Sequence, residues 1–186
     1  MEHLKFLIPC LIIALVFGCT PKEVVKCTLP EDNPEYHYLA GMRVLEEGKV
    51  DLAILKFERV LYCDEKFSKA YSGKAIAKAE KAKMIKDADI RKIEIERIEK
   101  DLKLAKKYAE TISDEFDYYL AKIRVYTALK TKDWLEEGEK AYLNAIDLKV
   151  DETKLTYYQG KESAHYFMGV AYMNALDFEK AKDKFR

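Results

Sequence analysis

Gly41-Met42-Arg43-Val44-Leu45-Glu46-Glu47-Gly48-Lys49-Val50-Asp51-Leu52-Ala53-Ile54-Leu55-Lys56-Phe57 has an echo near the other end of the chain, in Gly169-Val170-Ala171-Tyr172-Met173-Asn174-Ala175-Leu176-Asp177-Phe178-Glu179-Lys180-Ala181-Lys182-Asp183-Lys184-Phe185. Gly41, Ala53 and Phe57 recur as Gly169, Ala181 and Phe185, 128 residues on, and Gly48 is answered by Ala175. Self-similarity at fixed internal offsets marks a repeat architecture. Each copy places a small residue early on one helix, then a short turn, then Ala followed four residues later by an aromatic on a second helix. Small residues let the two helices cross closely, and the aromatic fills the space between one helix pair and the next.

This pattern resembles the tetratricopeptide repeat (TPR), a helical hairpin of about 34 residues. The resemblance implies an all-α, right-handed solenoid. Working outward, Asn33-Pro34-Glu35 is a helix start, with Asn as N-cap and Pro at the first helical position. The first helix then runs to about Glu47, Gly48 breaks it, and Val50 to Cys63 forms the second, with Ala53, Phe57, Val60 and Leu61 on one face. A second unit opens at Ser68 with Ala70-Tyr71-Ser72-Gly73-Lys74-Ala75. Its second helix is expected over Ile90 to Ile112, with a seam at Ile95, Ile98, Leu102, Ala105, Ala109 and Ile112. Glu96 with Lys100 and Glu99 with Lys103 are spaced to pair on its outer side. Only Asp87 and Asp89 offer an N-cap, and without one of them the unit is a single long helix.

A third unit is expected with helices at 117–129 and 135–148, a turn at Lys132-Asp133, and Gly138, Tyr142 and Ala145 in the Ala, aromatic and Ala places. Ala53 to Gly138 is 85 residues and Gly138 to Ala181 is 43, which leaves surpluses of 17 and nine over whole periods. Those surpluses match the elongated helix and the segment 150–161. Four units result, at 34–67, 68–116, 117–161 and 162–186. Phe185 leaves the last one with an open apolar edge, as expected of a piece of a longer protein or of an edge that a partner or second copy covers.

The front of the chain is different. Lys5 and the free amine precede an apolar run from Phe6 to Phe17, too short to span a bilayer, which makes residues 1–18 a secretion signal. Val16-Phe17-Gly18-Cys19 is similar to the bacterial lipobox, in which the cysteine is acylated and becomes the mature N-terminus. The similarity implies a lipid on Cys19, and Thr20 beside it resembles lipoproteins sorted to an outer membrane. Residues 19–33, with Pro21 and Pro30 and no helical period, read as a tether. Export leaves Cys27 and Cys63 in an oxidising compartment, where a bridge is chemically allowed and two unrelated thiols remain the alternative.

The 186 residues carry 33 basic and 33 acidic side chains, so neither a nucleic-acid nor an acidic partner is indicated. Lys-rich, amide-poor usage suits heat adaptation and an A/T-rich genome equally. Catalytic patterns are missing from the sequence: there is no Gly-rich phosphate loop, Ser/His/Asp set or Cys-x-x-Cys. His37 and His165 hold the same position in the first and last units, so they are packing residues and not a ligand pair. The expectation is no enzyme activity, no cofactor, no metal and no small-molecule substrate.

What remains is surface. The TPR resemblance directs Tyr38, Met42 and Leu45, Ser72 and Ile76, and Tyr166, Val170 and Met173 toward a concave groove suited to a partner peptide or helix. With the lipobox, it implies a scaffold or assembly factor at a bacterial envelope membrane, facing the periplasm, whose partner is an envelope assembly or secretion component. The alternative is a self-associating envelope protein using the 90–112 helix and the open edge at Phe185.

Overall fold

The computed structural model describes Cys27, residues 32–151 and residues 160–186. The signal, Cys19, most of the tether and residues 152–159 of the expected insertion lie outside the described residues. Within them the chain is all-α: eight helices and no strand.

Local chemistry sets the boundaries. In α1 (Pro34–Glu46), the Asn33 side chain accepts from the Glu35 N–H at 2.9 Å and Pro34 fills the first turn. Gly48 then turns the chain at φ +75°, a conformation that needs no Cβ. Its counterpart is Leu176 at φ 62°, 128 residues on, and not Ala175, which lies in the right-handed region as a helix cap. α2 (Val50–Cys63) and α3 (Ser68–Ala82) follow as expected.

Asp87 caps α4 (Ala88–Tyr108), accepting from Asp89 N–H at 3.0 Å and Ile90 N–H at 2.9 Å. At 1.5 Å per residue this helix is about 31 Å long. It stops short of Ile112 because Ala109 is extended and a new helix begins: Thr111 Oγ1 accepts from the Asp114 N–H at 3.1 Å while Asp114 accepts from the Thr111 N–H at 3.0 Å. That capping box starts α5 (Ile112–Leu129) five residues earlier than Asp117, where the sequence placed it, and leaves Ile112 exposed instead of on the α4 seam. On α4 the pair formed is Arg97 with Glu94, at 2.6 Å. α6 (Trp134–Asp147), α7 (Lys161–Asn174) and α8 (Phe178–Lys184) complete the order.

Each helix packs on the next; α3 also meets α5, and α5 meets α7. Phe57 is closely held. A Cβ on Gly41 would lie 2.7 Å from its ring and one on Gly73 2.5 Å, so the ring is held between α1 and α3 and is 0% exposed. On α4, Ile98, Leu102 and Ala105 are buried within the fold, so the seam is used internally. Asp101 beside them is buried between Lys74 Nζ at 3.2 Å and Lys78 Nζ at 2.7 Å, and the Ser68 hydroxyl donates to the Ala105 carbonyl at 2.8 Å. These contacts tie α3 to α4.

α5 belongs to two cores. Ala121, Val125 and Leu129 join the cluster containing Tyr38, Met42, Phe57, Ile76 and Ile98. Phe116, Leu120 and Ile123 join a second with Tyr142, Met168, Tyr172 and Ala181. The spacings 116/120/123 and 121/125/129 are two helical stripes, so α5 is buried on two faces.

A disulfide joins Cys27 to Cys63 at the end of α2, with Cα atoms 5.5 Å apart. Asp32 meets the Arg59 guanidinium, and the His37 imidazole lies 3.6 Å from the same carboxylate oxygen.

Two glycines give opposite outcomes. Gly73→Ala gains up to about 1 kcal/mol of helix propensity but drives a methyl into a ring already clamped by Gly41, so it should lose about 1–3 kcal/mol net. Gly138 has no atom within 4 Å of a Cβ, and Gly138→Ala should gain about 0.5–1 kcal/mol. Urea unfolding of both variants measures the signs. Reducing the disulfide, which spans 36 residues, should remove about 3–4 kcal/mol by loop entropy, read as a lower melting temperature with reductant that Cys63→Ser reproduces without it.

Candidate interaction surface

The helix ends and turns that meet around α5 leave an open groove of about 690 Å³. Met84 enters it from the turn after α3, Arg91 from α4, Arg124, Thr127 and Ala128 from α5, and Tyr166, Phe167, Val170 and Asn174 from α7. Met84 is 75% exposed and Tyr166 56%, large apolar surfaces open to solvent.

Arg124 spans the groove: its Nη2 is 3.2 Å from Glu46 Oε1 and its guanidinium lies 4.7 Å from the centre of the Phe167 ring. It links α1, α5 and α7 through an ion pair at one end and a cation–π contact at the other. Arg91 donates to the Leu129 carbonyl oxygen at 2.5 Å, satisfying one of the free carbonyls at the C-terminal end of α5. Lys130, in the left-handed conformation that ends that helix, sits 5.9 Å from the Trp134 ring. Glu46 balances Arg124 and Glu80 pairs with Lys83, while Arg91 and Lys130 face a carbonyl and a ring. The charges left over at that end of the groove are positive.

Five of the eight residues expected in the groove are in the core instead. Tyr38, Met42, Leu45, Ser72 and Ile76 are between 2% and 6% exposed. α5 is the reason: Leu120, Asp117 and Arg124 close over Tyr38, Met42, Ser72 and Ile76, leaving a space of about 20 Å³. Tyr166 and Val170 do line the open groove, and Met173 is exposed. Arg124, Phe167 and Met84 were missed. The signal for Met84 was an apolar side chain in the turn Lys83-Met84-Ile85; Arg124 and Phe167 carried none without knowing that α5 crosses the groove.

Among the described residues one group could hold a metal ion: Cys27, Asp32 and Cys63, with ligand atoms within 4.8 Å of one another. Both sulfurs are spent in the disulfide, and the Asp32 carboxylate is engaged by Arg59. His165 Nδ1 lies 3.1 Å from the Tyr142 hydroxyl, which also accepts from Lys184 Nζ at 3.0 Å. The His37 and His165 rings therefore sit in separate places, each against its own neighbours.

Compared with protein-family models, with curated proteins and with solved structures, the chain gives no match. No helix among the described residues is long and apolar enough to cross a membrane. The groove sets apolar rings beside cations that no carboxylate in its lining balances.

The Arg59 hydrogen bond holds the Asp32 carboxyl below its ordinary value. A depressed carboxyl adds stability above its unfolded pKa, near 4, and loses it as pH falls through the folded value. The stability gap between the native chain and Asp32→Asn should therefore be widest above the unfolded pKa and close as pH falls through the lower folded value. Denaturant midpoints across that range measure it, and a gap independent of pH would remove the carboxylate from the account.

Proposed function

We propose that the chain is a TPR-like interaction protein, anchored to a bacterial envelope membrane by lipid on Cys19, that binds a partner polypeptide in the groove around α5. The observation that carries the binding role is the groove itself: Tyr166, Phe167, Val170 and Met84 form an open apolar surface beside Arg91 and Lys130. Ordered aromatic and methionine side chains supply contact area at low entropic cost, and cations select for an acidic segment. The TPR-like reading is supported by Phe57 lodged between small residues of two successive first helices, Gly41 and Gly73, and by first helices that touch one another along the chain.

The anchor rests on Val16-Phe17-Gly18-Cys19 and on a tether long enough to hold the helices clear of a bilayer. In this reading the protein acts by holding an envelope assembly or secretion component, without cofactor or catalysis. The disulfide supports an oxidising location.

A photo-crosslinking residue in place of Tyr166 should capture one envelope protein, whereas the same residue at Glu58 should not. Arg124→Ala should reduce the yield roughly tenfold. Cys19→Ala should abolish incorporation of an azide-tagged fatty acid and release the protein from the membrane fraction. Equal capture from both crosslinker positions would remove the groove from the proposal, and unchanged acylation would remove the anchor.

A further inference from the structure

In the oxidised chain the sulfurs of Cys27 and Cys63 are spent on each other, but a carboxylate and an imidazole stand beside them. Asn33-Pro34 starts α1, which puts Asp32 just outside that helix and His37 one turn into it. Arg59 and Cys63, four residues apart near the end of α2, share one helix face. The two sulfurs and a carboxylate oxygen of Asp32 all lie within 4.8 Å of one another.

His37 is placed as a ligand and not as a hydrogen-bonding side chain. Both of its ring nitrogens are shielded from solvent and neither is hydrogen-bonded. A buried polar atom in that condition calls for an explanation, and a role as a metal ligand supplies one. Nε2 lies 3.6 Å from Asp32 Oδ1, too long for a hydrogen bond. On one tetrahedral zinc ion a nitrogen and an oxygen, each about 2.0 Å from the metal, stand about 3.3 Å apart. Arg59 meanwhile donates to Asp32 Oδ1 through Nε at 3.0 Å and through Nη2. It orients the carboxylate from outside, as the outer partners of metal ligands do. Zn2+ with two thiolates and one carboxylate carries one net negative charge, and the guanidinium balances it.

We propose that Cys27, Cys63, Asp32 and His37 form a zinc site once the disulfide is reduced. Two thiolates, an imidazole and a carboxylate make a four-coordinate set that suits zinc. A dithiol reductant supplies two electrons and two protons: the S–S bond breaks, two thiols form, and the reductant closes its own disulfide. Zn2+ then displaces both thiol protons to solvent, and two Zn–S bonds of about 2.3 Å take the place of the S–S bond. The Cα atoms of the two cysteines, 5.5 Å apart, are near enough for both side chains to reach one ion. One crosslink thus replaces another, and Cys27 stays joined to the end of α2 in both redox states. None of the four residues lines the groove, so the site is independent of the binding role proposed above.

The test uses the full chain with Cys10→Ser and Cys19→Ser, which leaves Cys27 and Cys63 as its cysteines. It is reduced under argon with a phosphine, which adds no competing thiol, and titrated with Co2+ and then Zn2+. One Co2+ per chain is expected, with thiolate-to-cobalt charge-transfer absorption and the intense visible bands of tetrahedral cobalt, all erased by one equivalent of Zn2+. The oxidised chain should show none of these bands, and Cys63→Ser should remove them. Asp32→Asn and His37→Gln should each weaken zinc binding roughly tenfold or more, read by competition with a chromophoric chelator. Asp32→Asn also releases Arg59, whereas His37→Gln leaves that pair in place, so the second variant separates ligation from local packing. Zn2+ should raise the melting temperature of the reduced chain and leave that of the oxidised chain unchanged. Absence of the cobalt bands in the reduced chain, bands that survive Cys63→Ser, equal uptake by the oxidised chain, or an affinity indifferent to either Asp32→Asn or His37→Gln overturns the inference.

Discussion

The ring of Phe57, closed in between Gly41 and Gly73, is the contact on which the first half of the molecule depends. Full burial of a phenylalanine contributes about 2–3 kcal/mol, but its greater effect here is geometric. Two glycines leave one slot, and the ring fixes how close α1 and α3 come and where α2 lies between them. Tyr38, Met42 and Ile76 are brought together by that registration and form a surface that α5 covers. Cores packed at crystal-like density transmit such constraints, because no side chain has room to absorb a shift.

α5 carries the constraint onward. Its two apolar stripes belong to two cores, and Arg124 leaves it between them to reach Glu46 and Phe167. The groove is thus built on a helix buried on two faces. A wall held in this way is preorganised, which under the proposed role would keep the ordering cost of binding low.

Helix existence, most boundaries and the place of Phe57 between one helix pair and the next were legible in the sequence because each has a local cause. Asn33-Pro34 starts a helix, Gly48 ends one, and Asp87 is the cap that separates α3 from α4. The end of α4 was misjudged because Ala109 and Glu110 carry no breaker. The Thr111–Asp114 capping box was the available signal, with Asp in place of the usual Glu. The groove was harder. Tyr38, Met42, Leu45, Ser72 and Ile76 were assigned to a concave surface by analogy between units, whereas their burial depends on α5, a neighbour far along the chain. Periodicity shows which face of a helix is apolar, not what lies across from it.

The groove and the second copy of the glycine and aromatic pair differ in how they are held. The groove is lined by α5, α7 and the turns they anchor. The Phe185 edge rests on α8, seven residues long with Ala181 its one buried side chain. A helix of that length is marginal by itself and draws its order from neighbours. Gly169 and the Tyr166 ring are the neighbours of Phe185 there. In the first copy the same motif is covered by α3 within the chain, at high effective concentration and without an association cost. The same glycine and aromatic pair thus builds a closed core where α3 covers it, and at α7 and α8 it leaves Phe185 and Tyr166 half exposed.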